Sequence, residues 1–458
     1  MKHPLCPVCT HCGLCESGAR SIKITGSTEP DAFQPEPPRS GYGLAIDVGT
    51  TTVHAVCCDL KNGAVVSQAG VLNEQTRYAA DVIARMQYAS QPGGAEALQQ
   101  AVKQSICTAA AACLAAAACL VPETPEEIVI TGNTVMLHLL FGYDTAPLMQ
   151  APFCPQTLFG AELPFACTAE QENGAPPAGR AYVPPCVSAF VGADTVCAVL
   201  AAQQSIPDTD FVLLDIGTNC EIACYDNSAQ QLYCTAAAAG PAFEGGGISC
   251  GMPALPGAIA DVRCADGAIT ISTIGGENAR GICGSGLLSA AAEFLNAGLI
   301  SPEGTITKRN SAYAAYLRRS STGELALLLA MNGAQPVLIT QSDIRNLQYA
   351  AAAVAAGTQT LLCSAHKSDW LGTVAVCGGF GANIQAADAQ RVGLIPPHTA
   401  HIARSFGNAA ARGALLLLLK PSLRQTAAQL AQNACALQLA DNAFFQESFI
   451  RHMRFPDQ

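Results

Sequence analysis

Asp47 and Asp215 stand in the same short pattern. Residues 44–52 read Leu-Ala-Ile-Asp-Val-Gly-Thr-Thr-Thr, and residues 213–221 read Leu-Leu-Asp-Ile-Gly-Thr-Asn-Cys-Glu. In each, an apolar run ends at a carboxylate, and a glycine with hydroxyl or amide residues follows. A strand ending this way puts an acid and a tight turn of backbone N–H groups at one spot. That suits a Mg–phosphate group, with the N–H donors on phosphate oxygens and the Asp on the hydrated metal. Gly49, Thr50, Thr51 and Thr52 make the first turn; Gly217, Thr218 and Asn219 make the second. A third turn, with Gly378, Gly379 and Gly381, follows the apolar run Val374–Cys377. Small residues there let a flat adenine or ribose approach the backbone. One glycine turn after a strand is ordinary in any α/β protein. Three in this order point to a duplicated domain serving one nucleotide. A dinucleotide fold is excluded, because no Gly-x-Gly-x-x-Gly opens a helix in an early βαβ unit. A P-loop is excluded as well, since no Gly-x4-Gly-Lys-Ser/Thr occurs.

Cys6, Cys9, Cys12 and Cys15 are spaced Cys-x2-Cys-x2-Cys-x2-Cys. Three thiolates at this spacing wrap one face of an iron–sulfur cubane, whose fourth ligand in ferredoxins comes from elsewhere. Zinc is the alternative, but structural zinc sites separate their Cys pairs by a longer loop, and here only Thr10 and His11 intervene. The spacing therefore favours iron–sulfur, 4Fe–4S in preference to 2Fe–2S. Cys15 stands either as fourth ligand or outside the cluster.

These motifs need elements to hold them. Strands are expected at 43–48, 53–59 and 64–70, with Asn62-Gly63 as the turn between the last two. Helices follow near 78–89 and 95–119, then a strand at Ile128–Thr131. Residues 151–186, rich in proline, read as irregular. The pattern restarts with a helix near 193–204, a strand at 211–216 and a hairpin over 220–236. A helix at 342–364, the strand before Gly378 and a helix near 408–419 complete it. The expected division is a Cys-rich head at 1–24, a proline-bearing linker at 25–41, and two domains at 42–187 and 188–458.

The 458 residues are half hydrophobic and only 13% charged, so a large core can form. The net charge of −11 argues against nonspecific nucleic-acid binding. The N-terminus has no apolar signal segment, and the apolar stretch Ile106 to Val121 is too short to span a bilayer. A cytoplasmic protein with no membrane contact is expected. Most of the 22 cysteines are scattered singly, and Cys113, Cys119, Cys197 and Cys363 read as small buried hydrophobes.

The order of the two Asp-Gly-Thr turns and the Gly-rich turn resembles the acetate kinase, sugar kinase, heat-shock-70 and actin superfamily. The resemblance implies two ribonuclease-H-like, actin-like ATPase domains clamping Mg–ATP, with Asp47 and Asp215 at its metal. Asp194, in Val191-Gly-Ala-Asp194, matches an acid near the γ-phosphate; an ordinary helix N-cap is the equal alternative. Further motifs narrow the resemblance: Ile130-Thr-Gly-Asn-Thr134, Ala239-Gly-Pro-Ala-Phe-Glu-Gly245, Gly281-Ile-Cys-Gly-Ser-Gly286, Thr340-Gln-Ser-Asp343 and Gly407-Asn408. With the cysteine head they resemble the ATP-dependent reductive activators of corrinoid proteins. This implies one-electron delivery from a cluster to an inactivated cob(II)alamin protein. It also implies an upstream reductant such as ferredoxin, and a homodimer is compatible with it. An ATP-driven donor to another low-potential metalloenzyme and a small-molecule kinase of the same superfamily are the alternatives. The cysteine head speaks against the kinase, which needs no cluster.

Overall fold

The computed structural model describes residues 21–22, 33–116, 125–166, 178–368, 372–381 and 384–457. The four cysteines of the head lie outside the described residues, as does Cys119. The chain forms two compact units. The first takes the residues up to Asp208 together with Asn227–Leu232 and Asn408–Ala436; the second takes Thr209–Asp226, Tyr233–Gly407 and Leu437–Gln458.

The first unit is built on the antiparallel run Tyr42–Val48, Thr52–Asp59 and Val65–Leu72. Glu127–Gly132 then pairs parallel with Tyr42–Val48, and Ala178–Val183 pairs parallel with Glu127–Gly132. Both faces of the central strands are covered, which is why they read as near-continuous apolar runs. On one face lies Gly94–Ala116, with Leu98, Val102, Ile106 and Cys113 buried. The other face carries Ala409–Leu419, a helix apolar except for the half-buried Arg412. Leu415 to Leu419 are all buried, each worth about 1.5–3 kcal/mol. A side chain at Gly413 would run into the Cys197 carbonyl, so glycine lets this helix press onto Ala193–Ser205.

The second unit repeats the plan. Phe211–Ile216 pairs antiparallel with Cys220–Asp226, which neighbours Gln231–Ala237. Thr373–Cys377 pairs parallel with Phe211–Ile216, and Ala403–Gly407 parallel with Thr373–Cys377. In both units the first strand sits between its hairpin partner and the fourth strand, so the duplication read from the two Asp turns extends to the strands around them, while the sheet edges differ.

Three expectations change. Residues 151–186 are not irregular throughout: Ala161–Ala166 and Ala178–Val183 form an antiparallel pair at the sheet edge. Pro164 fits there because an edge strand needs fewer ladder donors. The unit boundary falls at Asp208/Thr209 rather than 187/188, because Ala193–Ser205 packs on Ala409–Leu419 in the first unit. Residues 33–41 lie on the first unit's body. Glu36 N–H donates to Leu419 O at 2.9 Å, Arg39 pairs with Glu127, and the Arg412 guanidinium sits 5.8 Å from the Phe33 ring centre. Of the single cysteines, Cys113 and Cys197 are buried, whereas Cys363 is exposed near a helix end.

Candidate nucleotide site

In the first unit Asp47 is the penultimate residue of its strand, opposite His54 on one side and Thr131 on the other. The turn after it is tied from behind. Gly49 N–H donates to Thr52 O at 3.0 Å, Asn73 Nδ2 to Gly49 O at 2.9 Å, and Asn73 N–H to Thr51 O at 2.9 Å. Arg85 Nη2 donates to Thr50 O at 2.6 Å. With these carbonyls held by the body, the planar peptide turns the Thr50 and Thr51 N–H groups the other way. That is an anion-binding nest in the making. A side chain at Gly49 would come within 2.7 Å of Thr52 O, so the turn requires glycine.

Arg85 is fully buried. Its other contacts are Gln75 Oε1 at 2.9 Å, Ala79 O at 3.2 Å and Met136 Sδ at 3.1 Å. Burial lowers its pKa to about 10, so it stays a cation behind the turn at neutral pH. Its field favours an anion in front.

Two further loops close on Asp47. Asn133 Nδ2 donates to Thr50 Oγ1 at 3.3 Å, and Asn408 Nδ2 to Asp47 Oδ2 at 2.9 Å. A Cβ on Gly192 would stand 2.7 Å from both Gly132 O and Asp194 Oδ1, which puts the Asp194 carboxylate beside the Gly132–Asn133 turn. Gly192, not Asp194, holds the cap position of helix Ala193–Ser205. Asp194 sits one residue inside it, accepting from Thr195 N–H at 2.7 Å. Burial pushes its pKa up to about 6, and the Thr195 hydrogen bonds work against that. An acid held there by a helix start, close to the turn, can orient a water or a hydrated metal.

In the second unit Asp215 lies between Glu221 and Cys377 in the sheet. Gly217 N–H donates to Asn219 O at 3.0 Å, and Thr218 O accepts from Gly240 N–H at 2.8 Å. Thr218 Oγ1 donates to Glu244 Oε2 at 3.0 Å, bringing a second carboxylate to the turn. The three glycines of the later turn have different tasks. Gly378 has φ +83°, and a Cβ there would stand 2.7 Å from Asp215 Oδ1. At Gly381 a Cβ would meet Val376 Cγ1 at 2.9 Å. Only Gly379 opens on space, with nothing within 4 Å of an added Cβ. Phe380 packs tilted against Phe243 with centroids 4.7 Å apart, which ties this turn to the Glu244 segment.

The chain's family follows from its matches. The model described as the C-terminal domain of RACo, the ASKHA domain, matches residues 210–458, and that of the RACo middle region matches 42–205. The chain belongs to the RACo family. The corrinoid activation enzyme RamQ of Eubacterium limosum is 30% identical, over 96% of this chain and 74% of its own length. The [Co(II) methylated amine-specific corrinoid protein] reductase of Methanosarcina barkeri is 26% identical, over 72% of this chain and 63% of its own. A solved reductive activator for corrinoid, iron–sulfur protein superposes with TM-score 0.79 at 32% identity, covering 91% of this chain and 66% of that one. The chain thus spans about two thirds to three quarters of these relatives. The gap between the two RACo matches coincides with the passage from first to second unit.

Within the RACo units, Asp47, Gly49, Thr50 and Asp194 come together in the first, and Asp215, Gly217, Thr218 and Gly378 in the second. Thr51 and Asn219 contribute backbone carbonyls to their turns, while Thr52 begins the next strand. Cys6, Cys9, Cys12 and Cys15 lie outside the described residues, among which no group of three or more His, Cys, Asp or Glu could hold a metal ion. No described helix is long and apolar enough to cross a membrane. Sequence reasoning assigned no role to Asn73, Arg85, Asn133, Glu244 or Asn408. Asn133 and Asn408 each precede an apolar helical run, a legible capping signal. Arg85 gave only the weaker signal of one cation among Val82, Ile83 and Met86. The Thr340-Gln-Ser-Asp343 motif is a capping box whose Asp343 also accepts from Ser249 N–H at 2.7 Å.

Proposed function

We propose that this chain is an ATP-dependent reductive activator that returns an inactivated cob(II)alamin protein to its methyl-accepting cob(I)alamin state. What carries the reading is one Asp-x-Gly-Thr turn at the equivalent strand end of each of two like-built units, within a chain of the RACo family. Asp47 in the first unit and Asp215 in the second would each hold hydrated Mg, and the turns 49–52 and 217–219 would each hold phosphate oxygens. Asp194 orients the water near the γ-phosphate, and Gly379 leaves room for the adenosine. Each unit supports this by itself: in the first the carbonyls of the turn are tied back, and in the second Gly379 opens on space.

Cys6, Cys9 and Cys12, with Cys15 or another donor, are assigned to a 4Fe–4S cluster, which supplies one low-potential electron. Cobalt gains that electron, Co(II) becoming Co(I), and a ferredoxin-type reductant in the cytoplasm replaces it. Moving an electron uphill by roughly 300 mV costs about 7 kcal/mol, at about 59 mV per tenfold. ATP hydrolysis in cells is of that order, so joining the two processes makes thermodynamic sense. The test is the loss of cob(II)alamin absorbance under a strong chemical reductant. It should need ATP, and a non-hydrolysable analogue should not replace it. Reduction at the same rate without nucleotide would overturn the reading.

A further inference from the structure

Three asparagines surround the first Asp turn, and each does the same two things. Asn73 Oδ1 accepts from Gln75 N–H at 3.1 Å, at the start of Glu74–Arg77, while its Nδ2 donates to Gly49 O. Asn133 Oδ1 accepts from Met136 N–H at 2.9 Å, capping Thr134–Phe141, while its Nδ2 donates to Thr50 Oγ1. Asn408 Oδ1 accepts from Ala411 N–H at 2.8 Å, capping Ala409–Leu419, while its Nδ2 donates to Asp47 Oδ2. A backbone N–H can be met only by the amide oxygen, so each cap fixes which way its amide faces. The NH2 end is then committed to the turn. Ser or Asp would cap these helices as well as Asn. Only Asn offers a cap acceptor and a donor from one planar group. The choice of Asn at all three places is therefore explained by the turn, not by the helices.

We propose that Asn408, Asn133 and Asn73 are positioning residues for the Mg–phosphate turn, with Asn408 setting the direction of the Asp47 carboxylate. Asn408 takes up Oδ2 of Asp47. It also makes the start of a helix buried at every position but Arg412 the reference point for that carboxylate. Asn133 orients the Thr50 hydroxyl, and Asn73 holds the Gly49 peptide. The inference rests on the reading of Asp47 as a Mg–ATP anchor.

The test replaces each Asn by Asp, which keeps the cap and turns the donor into an acceptor. In Asn408→Asp two carboxylates face each other across a former hydrogen bond. The Mg2+ concentration giving half-maximal ATP hydrolysis should rise tenfold or more, with the melting temperature close to that of the parent. Asn408→Ser, which caps but does not reach Asp47, should show a smaller rise in the same direction. Asn133→Asp should raise the KM for Mg–ATP more than it lowers kcat. Asp47→Ala is the control for the underlying reading: if it hydrolyses ATP normally, the anchor assignment itself fails. If Asp47→Ala is inactive but well-folded Asn408→Asp keeps the parental Mg2+ dependence, the positioning role is overturned. Loss of activity in Asn408→Asp matched by an equal loss in melting temperature, with Asn408→Ser unaffected, would also overturn it in favour of a purely structural cap.

Discussion

Gly378→Ala and Gly379→Ala are neighbouring changes with opposite expected outcomes. At Gly378 the backbone has φ +83°, where an L side chain costs about 1–2 kcal/mol. The added methyl would also stand 2.7 Å from Asp215 Oδ1 and 3.0 Å from Ile216 O. An ordinary contact needs the carboxylate oxygen to retreat by roughly 0.7 Å. Backbone strain and displacement together make about 2 kcal/mol a reasonable cost, or roughly 4–8 °C in the transition of a unit of this size. A reacting group displaced by nearly an ångström loses about ten- to a hundredfold in rate. Gly379 has nothing within 4 Å of an added Cβ, so Gly379→Ala should melt like the parent. Gly379→Val should fold normally and, on the proposed function, raise the KM for ATP more than it lowers kcat, because its bulk enters the space assigned there to the nucleotide. Thermal melts and steady-state ATP hydrolysis on the three variants decide the matter. A Gly378→Ala protein with parental melting temperature and kcat would refute the argument that this glycine exists for Asp215.

Asp47→Ala and Asp215→Ala should each remove most ATP hydrolysis without unfolding the protein, as read by activity beside circular dichroism; normal turnover in both would sink the metal assignment. Cys9→Ala or Cys12→Ala should abolish an oxygen-sensitive cluster signal in anaerobic EPR, and stoichiometric zinc without iron would refute the cluster. Deleting residues 1–24 should leave basal ATP hydrolysis and eliminate cobalt reduction, so a headless protein that reduces cobalt at the full rate would break the coupling scheme. His54 is buried with both ring nitrogens unpaired, and burial lowers its pKa from 6.5 to about 4. Between those values the unfolded chain binds the extra proton, so its contribution is complete above pH 6.5 and is lost as pH falls toward 4. The difference corresponds to about 3 kcal/mol. Urea titrations should show a flatter acid limb for His54→Leu, and an unchanged limb would contradict the burial.

The two Asp-bearing turns were readable along the chain because each is local. Asp47-Val-Gly-Thr and Asp215-Ile-Gly-Thr announce strand, acid and turn within a few residues, and hydrophobic period places the helices at 94–116, 193–205, 341–364 and 409–419 to within a few positions. The family resemblance rested on the same short motifs. What tertiary structure alone decided depends on contacts between distant segments, for which a single sequence carries no signal. Asn408 lies 361 residues from Asp47, yet it donates to that carboxylate. Helix Ala409–Leu419 returns to the first unit although its sequence follows the second; there Gly413 lets it press onto Cys197, and its leucines are buried against the first sheet. Residues 33–41, whose prolines read as linker, are held by Glu127, Leu419 and Arg412. The Ala161–Ala166 and Ala178–Val183 pair forms at a sheet edge, where packing outweighs the poor strand propensity of proline. Sequence thus names the candidate groups, because each needs its own residue type. The direction of each group is a property of the fold, because the atom that holds it comes from elsewhere in the chain.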